Sequence, residues 1–196
     1  MKMKNRVIEL THDDSRILHR KVMLRPKRLT DALNDYNWER DPELAYLDAV
    51  PPLTTTFAKY LLQCAEQLSF PSPTRKRFAI ETHDGKHIGN CSYYNIDQAE
   101  GETELGIMIG NRGYWDKGYG GDAIAALVCR VFQNTYITRI YLKTLDSNSR
   151  AQKCFQKCGF VPYSHMTSNG FSFTLMEIYH DRWQKYQTPI LSVSPV

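Results

Sequence analysis

A glycine-rich stretch between a strand pattern and a long helical pattern is the feature that most constrains this chain. The stretch, Gly113–Ala123, follows the apolar run Glu104–Ile109 and precedes apolar residues at helical spacing from Ile124 onward. Glycine allows positive φ and lets a ligand approach the main chain closely. The unpaired N–H groups at the start of a helix attract anions. The pattern therefore predicts a strand–turn–helix unit that binds a phosphate group.

Two common phosphate-binding loops do not fit this stretch. A Walker loop requires lysine directly after its last glycine, whereas Lys117 precedes the glycines here. A dinucleotide fingerprint requires a third glycine that is missing after Gly118-Tyr119-Gly120. What remains is a Lys-Gly-x-Gly-Gly loop with a strand before it and an amphipathic helix after it.

A second segment lies about thirty residues downstream. Residues Ile137–Thr144 read as a strand and lead to the polar stretch Asp146–Ala151. A short helix with apolar residues at helical spacing follows from Ala151 to Cys158, and Gly159 is placed to end it.

Together the two segments resemble the GNAT superfamily of acyl-CoA-dependent N-acyltransferases. Trp115–Gly120 is similar to the family's Gln/Arg-x-x-Gly-x-Gly/Ala pyrophosphate loop, and Asn148–Phe160 is similar to its Asn-x-x-Ala…Gly-Phe signature. The motif Tyr-Trp-x-Lys-Gly-Tyr-Gly most resembles the sequences of the branch that contains the ribosomal-protein N-terminal acetyltransferases. The resemblance extends from about Met23 to Trp183, which is most of the chain.

The order of elements predicted along the chain is β-αα-βββ-α-β-α-ββ. Turn signals at Asp84-Gly85 and Asn169-Gly170 predict two hairpins. This order indicates an α/β (α+β) fold with a mixed, largely antiparallel sheet and helices on both faces, as the resemblance also implies. We expect a loosely ordered lead-in over residues 1–20, one domain over 21–184 and a C-terminal tail over 185–196.

Composition limits the classes of partner. The 25 basic and 21 acidic residues give a net charge of +4, and Arg75–Arg77 is the single tight basic cluster, so nucleic acid is not expected as the main partner. No apolar run is long enough for a membrane span. The five cysteines lack Cys-x-x-Cys spacing, which favours reduced thiols and a cytoplasmic location. His83 and His87 flank a turn signal, so no metal site is expected.

The resemblance implies that acetyl-CoA is the co-substrate. Backbone N–H groups of the loop would bind the pyrophosphate, and Lys117 and Arg112 would add charge. The pantetheine arm would lie along the strand that holds Ile107 and Ile109, with a main-chain N–H near Met108 steadying the oxyanion. The predicted cofactor-binding residues are Ile107, Met108, Ile109, Arg112, Lys117, Gly118, Tyr119, Gly120, Gly121, Asn148 and Phe155. The alternative is that these glycines only form a tight turn.

Three residues depart from the family pattern. Trp115 takes the Gln/Arg position, and Asp116 places a carboxylate beside the expected pyrophosphate. Phe155 stands where many relatives carry a tyrosine proposed to protonate the leaving thiolate, so the sequence does not identify the general acid. Asn148 is expected to bond the cofactor, with the N-cap of the following helix as its alternative role.

Glu104 is the predicted catalytic base, because its place before Leu105-Gly106 is similar to that of the acidic residue many relatives use. Alternatively, Glu104 is an ordinary exposed carboxylate on the strand. Glu102 is the second candidate for the catalytic base. The first two helices and the last hairpin are expected to form the acceptor pocket. Tyr36, Trp38 and Glu39 are candidates to bind a cationic amine, or else are plain surface or core.

Two functions from different classes are compatible with these residues. The first is an acetyl-CoA-dependent N-acetyltransferase that acts on a primary amine by direct attack in a ternary complex. The second is a catalytically silent GNAT-fold module that binds acyl-CoA as a sensor or interaction domain, which the absent tyrosine favours. A homodimer is compatible with the resemblance, although no pattern in the chain fixes it.

Overall fold

The computed structural model describes residues 17–191, apart from the side chains of Asn134 and residues 186–191. Eight strands form one sheet in the order β1-β2-β3-β4-β5-β6-β8-β7. The strands are β1 Ile17–Leu18, β2 Val22–Pro26, β3 Arg75–Thr82, β4 His87–Asp97, β5 Glu102–Met108, β6 Arg139–Leu145, β7 Val161–Ser168 and β8 Phe171–Tyr179. Every pairing is antiparallel except that of β5 with β6.

Within this range, six α-helices cover the sheet. They are α1 Ala32–Arg40, α2 Pro42–Leu47, α3 Phe57–Ser69, α4 Tyr119–Asn134, α5 Ser149–Lys157 and α6 His180–Leu191. Pro42 occupies the first turn of α2 and Thr56 caps α3 through its hydroxyl. The predicted mixed sheet and both hairpins are confirmed.

The main core lies between the sheet and α4, α5 and α6. Ile124, Leu127 and Val131 of α4 are almost fully buried in it, which agrees with their helical spacing. A second, smaller cluster joins α1 and α3 through Ala32, Tyr36 and Tyr60. The sheet therefore separates a large apolar side from a side that is covered by α1–α3.

Three elements are absent from the predicted order: β1, α6 and one helix, because the first predicted helix divides into α1 and α2 at Asp41-Pro42. The short strand β1 lies within the expected lead-in and pairs with β2. Helix α6 begins at His180 and continues past residue 185, where the C-terminal tail was expected to begin. Trp183 anchors α6, since its ring lies 5.5 Å from that of Phe132 on α4. A single buried aromatic residue in a polar segment gives little periodic signal, so the sequence pattern did not reveal this helix. The rest of the predicted lead-in and tail, residues 1–16 and 192–196, falls outside the described residues.

In the described range no helix has both the length and the apolarity needed to cross a membrane.

Candidate active site

A cavity of about 520 Å³ opens between the end of β5, the glycine-rich loop, the start of α4, α5 and α2. This volume lies within the range of ordinary small-molecule sites. The predicted residues that line it are Ile107, Met108, Ile109, Gly118, Gly120, Gly121, Asn148 and Phe155. The two sequence motifs therefore meet in one cavity.

The start of α4 lacks a side-chain cap. Its N-cap is Gly118, in the left-handed conformation at φ +82°, and no side chain accepts a hydrogen bond from the first turn. The starts of α2, α3 and α5 are capped instead by Asp41, Thr56 and Asn148. The first N–H groups of a helix need an acceptor. At α4 the glycines of this turn, Gly118, Gly120 and Gly121, line the cavity, so a ligand in the cavity can supply that acceptor.

Asp122 fixes the position of this uncapped helix start. Its carboxylate accepts hydrogen bonds from His19 Nδ1 at 2.7 Å, from the Lys21 N–H at 2.6 Å and from the Val22 N–H at 3.1 Å. These bonds tie the first turn of α4 to the β1–β2 connection, about one hundred residues earlier in the chain. These hydrogen bonds thus hold the start of α4 against the β1–β2 connection.

Strands β5 and β6 separate next to the cavity. They pair in parallel only from Glu102 with Arg139 to Glu104 with Tyr141, although β5 continues to Met108 and β6 to Leu145. Beyond Glu104, β5 stays paired with β4 on one edge, but the backbone groups on its β6 edge face a gap instead of a neighbouring strand. An extended ligand that carries amide groups can pair with such an edge.

Three basic residues that the sequence analysis did not single out also line the cavity. They are Arg150, Lys153 and Lys157, all on α5. The Arg150 guanidinium lies 3.6 Å from the centre of the Trp115 ring, and Trp115 Nε1 donates to the Ile109 carbonyl at 2.6 Å. Trp115 therefore serves as a fixed platform for Arg150. The one available signal was the helical spacing of Arg150, Lys153 and Lys157 on a short helix.

Three predicted cofactor residues do not line the cavity. Arg112 pairs with Asp41 and Glu43, each at 2.7 Å, and so joins the loop to the start of α2. The Lys117 ammonium donates to the Gly113 carbonyl at 2.7 Å. The Tyr119 ring packs against the Tyr114 ring at 4.9 Å. These side chains shape the loop from outside the cavity.

Asn148 caps the following helix and also lines the cavity, which are the two positions expected for it. Its side-chain oxygen accepts from the Ala151 N–H at 3.1 Å, which caps α5, and the residue also lines the cavity. Phe155 is buried and packs against Phe160, with ring centres 5.8 Å apart. A binding role for either residue stays a prediction.

Glu104 is buried on β5 among donors. Its carboxylate accepts from Tyr94 Oη at 3.0 Å and from Asn95 Nδ2 at 3.0 Å, and Lys143 Nζ lies 3.7 Å away. Successive side chains of a strand alternate between faces: Leu105 enters the main core, so Glu104 points to the side covered by α1–α3. Glu104 is not among the residues that line the cavity.

The three predicted acceptor residues occupy different environments. Tyr36 is buried in the α1–α3 cluster, where its hydroxyl donates to the Thr55 carbonyl at 2.9 Å. The Trp38 ring meets the His87 ring edge to face, with ring centres 4.8 Å apart, and lies so close to Gly110 that a Cβ there would come within 2.1 Å of it. Glu39 accepts from Tyr60 Oη at 2.7 Å. Tyr36 and Trp38 thus contribute to packing.

Asp48, at the end of α2, lines the cavity and was not identified from the sequence. Its side chain is exposed to solvent where it borders the cavity. Burial and the nearby Glu39 carboxylate raise the pKa of Asp48 to about 6, against the opposing charges of Arg75 and Lys143. Nothing in the sequence around an aspartate at a helix end distinguishes it from a surface residue.

A buried ionic cluster supports α1 on the same side of the sheet. Arg25 pairs with Asp31 at 2.8 Å and with Glu81 at 2.5 Å, and Lys27 pairs with Asp35 at 2.7 Å. Burial alone would raise the pKa of Asp31, but hydrogen bonds from Arg25 and from the Arg28 N–H hold it at about 2. The cluster is therefore internally paired.

Among the described residues, no group of three or more histidine, cysteine or acidic side chains is arranged to hold a metal ion. The described cysteines are all free thiols.

Comparison with known proteins agrees with the geometry of this cavity. The family model for the acetyltransferase (GNAT) domain matches residues 21–161. The chain is also 27% identical over 141 residues to p20 of Bacillus licheniformis, an uncharacterized N-acetyltransferase; this covers 71% of the chain and 79% of the relative.

Solved structures share the fold. A spermidine N-acetyltransferase from Vibrio cholerae, in complex with CoA and spermine, superposes with a TM-score of 0.74 at 18% identity, covering 83% of this chain and 98% of the other. An aminoglycoside acetyltransferase in complex with coenzyme A gives 0.70 at 20% identity, covering 85% and 99%. The predicted likeness to the ribosomal-protein branch stays a prediction. With its family model matched over most of its length, the chain belongs to the acetyltransferase (GNAT) family.

Proposed function

We propose that this protein transfers an acetyl group from acetyl-CoA to a primary amine. The observation that carries the proposal is the uncapped, glycine-bounded start of α4, which opens into the cavity. Coenzyme A carries a pyrophosphate and a further phosphate, so it supplies the acceptor oxygens that this helix start lacks. Arg150, Lys153 and Lys157 line the same cavity and complement those charges.

The gap between β5 and β6 suits the rest of the cofactor. In the proposed complex the pantetheine amides pair with the free edge of β5 near Ile107 and Ile109, which both line the cavity. This arrangement brings the thioester towards the Met108 end of the strand. A main-chain N–H there stabilises the oxyanion that forms when an amine attacks the thioester carbon.

The acceptor reaches the thioester from the side of α1 and α2. The base that takes its proton is a carboxylate on that side, and Glu104 is the one predicted from the sequence. The structural neighbours named above are a spermidine N-acetyltransferase and an aminoglycoside acetyltransferase. We therefore take polyamines, aminoglycosides and, from the sequence resemblance, protein N-termini as the acceptor classes to test.

One observation favours a catalytically silent, CoA-binding module instead. Phe155 lines the cavity without a hydroxyl group, so a tyrosine acid is absent at that position. A thiol is acidic enough to leave as the thiolate near neutral pH, however, with a free pKa of about 8.5. The transferase therefore remains the better-supported function.

A thiol-release assay with acetyl-CoA tests the proposal directly. The purified full chain is offered spermidine, an aminoglycoside and a peptide with a free N-terminus, and mass spectrometry identifies any acetylated product. We expect at least one amine to be acetylated with release of one thiol per product. A protein that binds acetyl-CoA and acetylates none of the three would be the silent module. A protein that does not bind acetyl-CoA would contradict both functions.

A further inference from the structure

Two cysteines of α5 lie one helical turn apart, against the first turn of α4. The Cys158 N–H donates to the Cys154 carbonyl at 3.3 Å, so the two side chains leave the same face of α5. A Cβ at Gly121 would lie 3.6 Å from Cys154 Sγ and 3.8 Å from Cys158 Sγ. The Cys158 thiol also donates to the Gly121 carbonyl at 3.5 Å. Both sulfur atoms therefore adjoin the helix start at which we place the pyrophosphate.

Cys154 is the member of the pair that opens to the cavity. All five cysteines of the chain lie within the described residues, and Cys154 is the one among them that lines the cavity. Cys91 and Cys129 are buried, and Cys64 lies on α3. A Cβ at Gly120 would lie 3.8 Å from Cys154 Sγ. A group attached to this sulfur would consequently crowd the first turn of α4, where phosphate oxygens have to approach the main chain.

The second thiol makes Cys154 a better nucleophile. A thiolate attacks other sulfur atoms, whereas a thiol does not. The hydrogen bond from the Cys158 thiol lowers the pKa of Cys154 against the effect of burial, and the charge of Lys157 acts in the same direction as that bond. Once Cys154 is ionised, its sulfur is a stronger acceptor for this thiol than a neutral carbonyl is. In the other four cysteines the pKa is raised.

The charges around Cys154 indicate which reagents reach it. Three cationic side chains of α5 line the cavity within four residues of Cys154 in the chain. They are Arg150, Lys153 and Lys157. The carboxylates that line the cavity belong to other segments, Asp48 to the end of α2 and Asp116 to the glycine-rich loop. Clustered positive charge raises the local concentration of anions and speeds their encounter with the site. Anionic reagents are therefore favoured at Cys154.

The spacing of the two thiols favours a disulfide with an external partner over an internal one. Side chains four residues apart on a helix have Cβ atoms about 5–6 Å apart, whereas a disulfide needs a Cβ separation of about 3.5–4.5 Å. An internal bond between Cys154 and Cys158 would require the last turn of α5 to unwind. A mixed disulfide on Cys154 leaves this turn intact.

We propose that Cys154 is a modification site for anionic low-molecular-weight disulfides, such as glutathione disulfide, and that the adduct closes the coenzyme A site. The second part rests on the proposed function. Cys154 releases its proton to the solvent, and the thiolate attacks one sulfur of the disulfide. The old sulfur–sulfur bond breaks as the new one forms, so Cys154 is oxidised. The released half is reduced, leaves as a thiolate and takes up one proton. Excess dithiothreitol reverses the step.

The first test follows adduct formation on the reduced full chain. Peptide mass spectrometry gives the rate at each cysteine with glutathione disulfide, which is anionic, and with cystamine, which is cationic. With glutathione disulfide, Cys154 is expected to react about tenfold faster than Cys64 or more, and this ratio should fall with cystamine and at high salt. Cys64→Ser is the matched control and should leave the rate at Cys154 unchanged. Faster reaction of another cysteine, an equal ratio for both reagents, or an internal Cys154–Cys158 disulfide would overturn the proposal.

The contribution of Cys158 as a positioning residue has its own measurement. Cys158→Ala removes the thiol that donates to Cys154, so the rate of adduct formation at pH 7 should fall about threefold and its pH profile should move to higher pH. Cys158→Ser keeps a donor at this position and should restore both. Coinciding profiles for the wild type and Cys158→Ala would show that Cys158 does not activate Cys154.

Calorimetry with acetyl-CoA tests whether the adduct closes the site. Treatment with glutathione disulfide should weaken binding to the wild type and to Cys64→Ser by about tenfold or more, with recovery in dithiothreitol. In Cys154→Ser the affinity should be the same before and after treatment, whatever its starting value. Saturating acetyl-CoA should in turn slow adduct formation at Cys154. Full affinity of the adduct would overturn the proposal, whereas a reduced wild type that does not bind acetyl-CoA would remove the proposed function and leave the rate measurements intact.

Discussion

The cofactor side and the acceptor side of the cavity are built on different principles. The cofactor side consists largely of backbone: an uncapped helix start at Gly118 and a free strand edge beyond Glu104. The side where we propose that the acceptor binds is lined by side chains of α2, and the buried cluster around Arg25 supports the neighbouring start of α1. Backbone donors recognise a constant ligand, whereas side chains can be exchanged without changing the fold. This difference explains why neighbours of one fold share CoA and are named for different amines.

The largest expected effect tests whether the ionic cluster supports the acceptor side. Arg25→Met removes the partner of Asp31 and Glu81 and leaves their charges buried, which should lower the free energy of unfolding by about 3–5 kcal/mol. Urea unfolding measures this loss. Arg20→Met, at an exposed position, is the control and should change stability by less than about 0.5 kcal/mol. A similar small loss for Arg25→Met would mean that the cluster does not support this side.

Acid should weaken the acceptor side through Asp31. Its pKa of about 2 in the folded protein lies below the unfolded value of 3.8, so its stabilisation is fully present above about pH 4 and is lost as pH falls towards 2. The loss amounts to about 2 kcal/mol. Urea unfolding of the wild type and of Asp31→Asn at several pH values isolates it. Parallel pH profiles for the two proteins would refute the pairing of Asp31 in the folded state.

A substitution in the first turn of α4 should separate binding from folding on the cofactor side. A Cβ at Gly120 would make only ordinary contacts, 3.7 Å from Ile109 and 3.8 Å from Cys154. Gly120→Ala should therefore keep or raise stability, by up to about 1 kcal/mol. It should weaken acetyl-CoA binding by about tenfold, since phosphate oxygens can no longer approach the main chain closely. If affinity stays at the wild-type value, the pyrophosphate lies elsewhere.

The smallest expected effect concerns the basic side chains of the cofactor side. Arg150→Ala should weaken acetyl-CoA binding about fivefold at low salt, and less at high salt where charges are screened. Lys76→Ala, an exposed residue of β3, is the matched control for loss of one positive charge. Calorimetry at two salt concentrations measures both. Equal affinities for the two variants would leave Arg150 without a role in binding.

The two sides also differ in how far the sequence reveals them. Glycine at positions 118, 120 and 121, between a strand and a helix, is a local pattern, so the loop, the following helix and part of the cavity wall could be predicted. Asp48 and Arg25 acquire their environments only when distant segments meet, and neither has a local signal. Tyr36 and Trp38 look like ligands for a cation in the sequence, but they pack in the fold. Helix α6 was missed because a single residue, Trp183, anchors it.

Calorimetric titration of the wild-type protein and of Gly120→Ala with acetyl-CoA, CoA and ATP tests the central claim most directly. The account requires the wild type to bind both CoA species with micromolar affinity, ATP to bind far more weakly, and Gly120→Ala to lose affinity while unfolding at the same or a higher urea concentration. The absence of CoA binding to the wild type, or equal affinity for ATP, would contradict the claim that the uncapped start of α4 and the free edge of β5 form a coenzyme A site.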